Sequence, residues 1–158
     1  MNWQEVVEHP SLRDLPFKIE LNERGQIVMS PTKVAHAAYQ GAIVLLLKAL
    51  IKKGRLLVEC AVETSKGTKV ADVAWASTAR YKRIIPEIAC SIAPEICVEV
   101  FSESNTKAEM EEKRRLYLAH GAKEVWFCDR QGRMSFYDAE EKLKRSVLCP
   151  KFPGKVKL

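Results

Sequence analysis

The stretch Glu95–Asp129, EICVEVFSESNTKAEMEEKRRLYLAHGAKEVWFCD, decides the fold. EICVEVF (95–101) is apolar and β-branched apart from its glutamates, and reads as a buried strand. KEVWFCD (123–129) reads as a second, short one. Between them a helix is predicted over roughly Lys107 to His120, stopped by Gly121. A right-handed crossover lays that helix across a sheet and sets the two strands side by side. Strand alternation puts Glu99 on one face with Cys97 and Phe101, while Val98 and Val100 point the other way. A carboxylate there breaks the pattern, because burying it unpaired costs several kcal/mol or forces a proton onto it.

The same violation occurs upstream. TKVADVAWA (68–76) is an apolar strand interrupted by Asp72, which shares a face with Val70 and Ala74. RLLVECAVET (55–64) precedes it, and TSKG (64–67) makes the two a hairpin. The intervening ARYKRIIPEIACSIAP (79–94), with Pro86 and Pro94, reads as a loop. Further back, Ser30-Pro31 has the form of a helix start, with Ser30 as N-cap and Pro31 in the first turn. The helix is expected from Thr32 to Lys53, ending at Gly54, with His36, Gln40, Ile43, Leu47 and Leu50 on its inner face. FKIEL, NERG and QIVM (17–29) form a hairpin after a lead-in over residues 1–16. Beyond the decisive stretch come the turn DRQG, a strand RMSFYD, and an irregular basic tail over 150–158. The expected fold is α/β: one domain over 1–158, a mixed central β-sheet flanked by helices, with an N-terminal β-hairpin.

Composition narrows the classes. The chain is 47% hydrophobic over 158 residues, enough for one real core, and its charges are spread along it rather than blocked. A net charge of +6 tilts the reading toward polyanionic partners. Five cysteines, with no close pair of the zinc type, read as buried reduced thiols. The opening MNWQEVVEHP is polar and acidic, and AIVLLLKALI (42–51) is too short to span a bilayer, so a cytoplasmic protein without membrane contact is expected. No serine elbow, phosphate-cradling glycine loop, HExxH or paired CxxC is present.

If the strands carrying Asp72 and Glu99 are neighbours, the two carboxylates come within reach of one hard divalent cation such as Mg²⁺, which prefers oxygen ligands and keeps several waters. The alternative is that each carboxylate pairs with a buried lysine or arginine. Lys113 falls within the apolar face of the second helix, between Met110 and Leu116 and beside Tyr117. A lysine aimed there can hold a phosphate oxygen or stabilise developing charge. A lysine snorkelling from the edge of the face is the alternative.

ADVAW, EICVEVFSESNT and EEKRRLYLAHGAKEVWFCD together resemble the PD-(D/E)XK nuclease superfamily, and within it a bacterial family of uncharacterised restriction-endonuclease-like proteins. The resemblance runs from about Phe17 to Tyr137. It implies a restriction-endonuclease-like core, with Asp72 and Glu99 as metal carboxylates and the Val100 carbonyl as a further ligand. The lysine usual two residues after the glutamate is Phe101 here, and the resemblance implies that Lys113 replaces it from the helix. Ala71 stands where a proline is usual, and Glu103 stands in place of the proline of Ser-Pro-Ser. Some superfamily members use a first-helix histidine as ligand, which makes His36 a candidate, against a satisfied histidine at the core edge. Glu20 matches a common acidic position of the family, or is a solvated strand residue.

The resulting expectation is a metal-dependent endonuclease hydrolysing DNA phosphodiester bonds with Mg²⁺ or Mn²⁺. Asp72, Glu99 and Lys113 are its expected catalytic residues, and Gln40, Ser102, Arg80 and Lys82 its candidates for substrate contact. RNA is an alternative substrate. A non-catalytic nucleic-acid-binding or assembly module is the alternative function, and a structural protein with merely paired carboxylates a third. Cutting both strands of a duplex leads us to expect a homodimer, through an exposed sheet edge or through RMSFYD and SVLCP.

Overall fold

The computed structural model describes residues 1–158. A short helix α1 (Trp3–Glu8) leads into the hairpin β1 (Phe17–Leu21) and β2 (Ile27–Pro31), followed by α2 (Val34–Leu50). The hairpin β3 (Arg55–Thr64) and β4 (Gly67–Ala76) comes next, then α3 (Thr78–Ile84) and β5 (Ile96–Val100). The chain continues through α4 (Lys107–Ala119), β6 (Glu124–Cys128), β7 (Met134–Tyr137) and β8 (Lys142–Leu143). Strands β3 to β8 form one six-stranded sheet in sequence order, and β1–β2 is a separate two-stranded sheet. Every pairing in the large sheet is antiparallel except β5–β6, where the α4 crossover makes the strands parallel.

Alternation along β5 divides the core. Val98 and Val100 pack with Trp126, Phe136, Phe152 and the α2 residues Ile43 and Leu47. Cys97 belongs to the opposite cluster, with Val125, Phe127 and the α4 residues Met110 and Tyr117. Helices on both faces therefore enclose the sheet, and Glu99 is on the α4 side with Cys97. All five cysteines are buried free thiols. No helix is long and apolar enough to cross a membrane.

Two local expectations are corrected and a third is extended. Ser30 and Pro31 do not start the first helix. They finish β2, pairing with Lys18 and Phe17, and the helix begins at Val34 behind Lys33, which makes no side-chain cap. Proline is compatible with this end position in a two-stranded ribbon because no further strand needs its missing N–H. The stretch after β4 is not all loop: Ser77 accepts from the Arg80 N–H and caps α3. The C-terminal tail is irregular yet anchored, since Phe152 and Val156 are buried, the Met134 N–H donates to the Gly154 carbonyl and the Val156 N–H donates to the Gly132 carbonyl.

Two features hold the site's surroundings. Gly67, at the β3–β4 turn, has φ +84°, and a Cβ there would run into the carbonyls of Leu21 and Asn22. This close approach docks the N-terminal hairpin against the large sheet. At the other end of the sheet, buried Glu124 accepts from the Trp126 indole at 2.7 Å, the Ser146 hydroxyl at 2.6 Å, and the Val147 and Leu148 amides at 2.7 and 2.9 Å. Glu124→Gln puts an NH₂ against some of these donors, and chemical denaturation should show a loss of about 1–3 kcal/mol. An unchanged midpoint would mean that the C-terminal segment is held by its apolar contacts alone.

Candidate active site

Asp72 and Glu99 lie on neighbouring strands, both buried. The β4–β5 register pairs Val73 with Val98 and Ala74 with Cys97, so one step further along the same register Asp72 faces Glu99. Directly opposed residues share a face of the sheet. The side chains meet at a third residue: the Lys18 ammonium is 2.8 Å from Asp72 Oδ1 and 3.4 Å from Glu99 Oε2. Lys113 reaches into the same cleft from α4, with Nζ 2.7 Å from Glu20 Oε1 and 3.3 Å from each Glu99 oxygen. His36 Nε2 is 3.3 Å from Asp72 Oδ2. These six side chains line a cleft of about 430 Å³.

The remaining contacts fix the carboxylates in place. Asp72 Oδ2 accepts the Val100 N–H at 2.7 Å, and Glu99 Oε1 accepts the hydroxyl of fully buried Tyr117 at 2.7 Å. Glu20 Oε1 also accepts the Val70 N–H at 2.7 Å. Gln40 donates to the Asp72 carbonyl at 3.2 Å, so it steadies the strand that carries the aspartate. Glu59 on β3 lies between the partners of Ala71 and Val73, across from Asp72. It lines the cleft with a left-handed backbone, φ +53°, a conformation that non-glycine residues hold only where surroundings enforce it.

Electrostatics separates the two central carboxylates. Burial would raise Asp72, but Lys18 and the hydrogen bond from His36 outweigh it and hold its carboxyl well below the usual range. At Glu99 burial wins over the attraction of Lys113 and Lys18, with Asp72 and Glu20 adding repulsion, so its pKa is raised. Burial opposes charge on Lys18 too, yet Glu99, Asp72 and Glu20 hold it as an ammonium far above the usual lysine range. The hydrogen bond to Asp72 raises His36. Burial, and then the Glu99 charge, push the Tyr117 phenol well up, so it stays a donor.

The candidates from sequence divide cleanly. Asp72, Glu99, Lys113 and His36 converge, and Val100 and Ser102 line the same cleft. Glu20, for which solvation was the alternative, is buried inside the network. Arg80 does not join them. It lies beyond the far end of β4 and donates to the Ala93 and Gly121 carbonyls, which makes it a brace between loops. Lys82 is exposed on the same α3 and does not line the cleft. Lys18 was missed altogether, and so was the role of Tyr117. The exposed Glu103 is paired with Lys33, which offsets the charge it brings beside the site.

No three His, Cys, Asp or Glu side chains come together in an arrangement that could by itself hold a metal ion. A hard cation that keeps its waters needs no such set, and the donors here are carboxylate oxygens. The Lys18 ammonium between Asp72 and Glu99 shows that the position accommodates positive charge. The residues therefore fit a divalent cation.

A mixed sheet between helices is consistent with the PD-(D/E)XK-like class of nuclease folds. Residues 3–143 match the family Uma2, described as "Putative restriction endonuclease", and the chain belongs to that family. Its fold is similar to that of a protein from Anabaena variabilis ATCC 29413, described as "a putative nuclease belonging to DUF820". The TM-score is 0.73 at 19% identity, over 90% of this chain and 83% of that one. No curated protein matches. Family and fold together support a nuclease-like function.

Proposed function

We propose that this protein hydrolyses DNA phosphodiester bonds with Mg²⁺ or Mn²⁺. One observation carries the reading: Asp72 Oδ1 and Glu99 Oε2 turn toward a single cation position, with the Lys113 ammonium in the same open cleft. A cation held there by Asp72 and Glu99, with the Val100 carbonyl and His36 as further candidate ligands, would activate the attacking water and neutralise phosphate charge. The chain's own residues do the rest. Glu20 and Glu99 hold Lys113 where its ammonium can meet charge developing on the phosphate. Ser102 and Asn105 line the cleft and can donate to phosphate oxygens. Tyr117 and the Val100 amide each occupy one carboxylate oxygen and leave the other for the cation.

The full pairing of the carboxylates with Lys18 and Lys113 favours a second reading, a nucleic-acid-binding module without turnover. A purely structural network has less support, because three carboxylates face two lysines and the cluster opens to a cleft. Supercoiled plasmid with Mg²⁺ or Mn²⁺ should be nicked and linearised, and chelation should stop it. Salt-dependent binding without cleavage of any DNA or RNA would give the second reading its place.

Double-strand cutting by a domain of this size calls for a homodimer, and the sheet offers a surface for it. Of the C-terminal candidates, RMSFYD is less available, since β7 is already paired on both sides. Cys90 covers the edge of β3 at Ala61 and Glu63. The stretch 55–59 of that edge strand, with Val58 exposed, is the surface we assign to the second copy. Light scattering should show a dimer that Val58→Lys dissociates, and a monomeric parent would remove this part of the proposal.

A further inference from the structure

The oxygens of the two central carboxylates are not equivalent. Asp72 Oδ2 is occupied by the Val100 amide and by His36, and Glu99 Oε1 by the Tyr117 hydroxyl and Lys113. The other oxygen of each, Asp72 Oδ1 and Glu99 Oε2, is bridged by the Lys18 ammonium at 2.8 and 3.4 Å, with Lys113 also 3.3 Å from Glu99 Oε2. Every buried side-chain nitrogen and oxygen has a partner, and a cation bridging Asp72 Oδ1 and Glu99 Oε2 would take a place already filled. A backbone amide cannot leave without breaking the strand. Tyr117 is fixed in the core, and Lys113 is held by Glu20 at 2.7 Å as well.

Lys18 differs from all of these. It stands on β1, in a sheet of its own, so its withdrawal disturbs no hydrogen bond of β4 or β5. Its flexible stem ends at the cleft, and the nearest Glu20 oxygen, at 3.9 Å, holds it only loosely. We propose that Lys18 is a tethered stand-in cation, occupying the position between Asp72 and Glu99 that a hard divalent cation would take, and competing with it. This rests on the metal-dependent reading above and adds a regulation to it. Metal affinity in this chain is set partly by how readily one lysine yields its place, and the N-terminal hairpin becomes part of the metal switch.

The competition has a consequence for binding. Removing the ammonium leaves three carboxylates against one lysine, so the site attracts a divalent cation more strongly. Lys18→Met should bind Mn²⁺ at least about tenfold tighter than the parent in isothermal titration calorimetry, since neighbouring like charges interact strongly at these distances. Its melting temperature without metal should fall, and the rise on adding Mn²⁺ should exceed the parent's. Lys18→Arg, which keeps the charge, should stay within a few-fold of the parent. Lys52→Met, at an exposed lysine after α2, controls for loss of overall charge and should change nothing. If Lys18→Met folds poorly, Lys18→Gln is read in the same way.

The outcomes distinguish the stand-in role of Lys18 from the metal dependence itself. Unchanged Mn²⁺ affinity in Lys18→Met, with a parent that binds the metal, overturns the stand-in role and leaves the nuclease reading untouched. Equal tightening in Lys52→Met overturns it as well, because a general charge effect would then suffice. No Mn²⁺ binding by any variant at millimolar metal overturns both the stand-in role and the metal dependence.

Discussion

Asp72→Asn and Glu99→Gln should each reduce metal-dependent DNA cleavage by on the order of 10³-fold or more, at least the scale seen when one strong charge stabiliser is lost. They should differ in stability, and that difference is the sharper test. Asp72 is pulled below the usual carboxylate range by Lys18 and His36 despite its burial. A depressed folded pKa means that the ionised form stabilises the fold at neutral pH, and that this contribution is lost as the pH falls through the folded value. Asp72→Asn should therefore lower the melting temperature. Glu99 is raised because burial outweighs its two lysines. A raised folded pKa means that the protonated form favours the fold, and that the charge costs stability once the pH exceeds it. Glu99→Gln, an uncharged isostere that can still accept from Tyr117, should hold or raise the melting temperature. Alanine is the poorer probe at either place, because it strands the Val100 amide, Tyr117 or a lysine, and breaking a buried pair costs about 3–5 kcal/mol. Two variants with equal melting temperatures would contradict the electrostatic account, and parental cleavage by either would displace the active site.

This asymmetry shows where sequence reading reaches and where it stops. Asp72 and Glu99 were legible because each breaks an apolar strand, and Lys113 because it breaks an apolar helix face. Lys18 was illegible for the opposite reason. In FKIEL the apolar residues alternate as a half-buried strand should, and the rule assigns Lys18 and Glu20 to water. In the fold the polar face of β1 turns toward the carboxylates, while Phe17 at the start of the strand is exposed. Periodicity identified the two faces correctly, but Leu21 is buried as well as Glu20, and that the polar face is also covered depended on a neighbour far along the chain. Arg80 shows the complementary error: a basic cluster gives charge without position, and its guanidinium ties two loops together at the opposite end of the sheet. Ser30-Pro31 was misread because its cap chemistry is local, whereas the pairing of those residues with Lys18 and Phe17 is tertiary. Fold class survived these errors because it rested on the strand–helix–strand crossover from Glu95 to Asp129. There topology is constrained by handedness rather than by single residues.

Lys113→Ala should cut the cleavage rate by about 10²-fold, the scale of losing one preorganised charge stabiliser, while Mn²⁺ binding is retained. The geometry accounts for the separation. Lys113 touches Glu99 at 3.3 Å but is held more closely by Glu20, at 2.7 Å, so its loss makes the cleft more negative without removing a carboxylate. Metal affinity can then only hold or increase, and a slower enzyme with undiminished metal binding has lost chemistry rather than a ligand. Glu20 enters as a positioning residue through the same contact. Glu20→Gln should slow cleavage by roughly tenfold by loosening the ammonium, a fraction of what removing it costs. In the Glu20→Gln/Lys113→Ala double variant the Glu20 change should add nothing further, because there is no ammonium left to position. Additive losses would mean that Glu20 acts on its own, through the Val70 amide and the docking of the hairpin. Parental rates in Lys113→Ala would remove the helix lysine from the mechanism and leave Lys18, which contacts both central carboxylates, as the ammonium best placed to take its part.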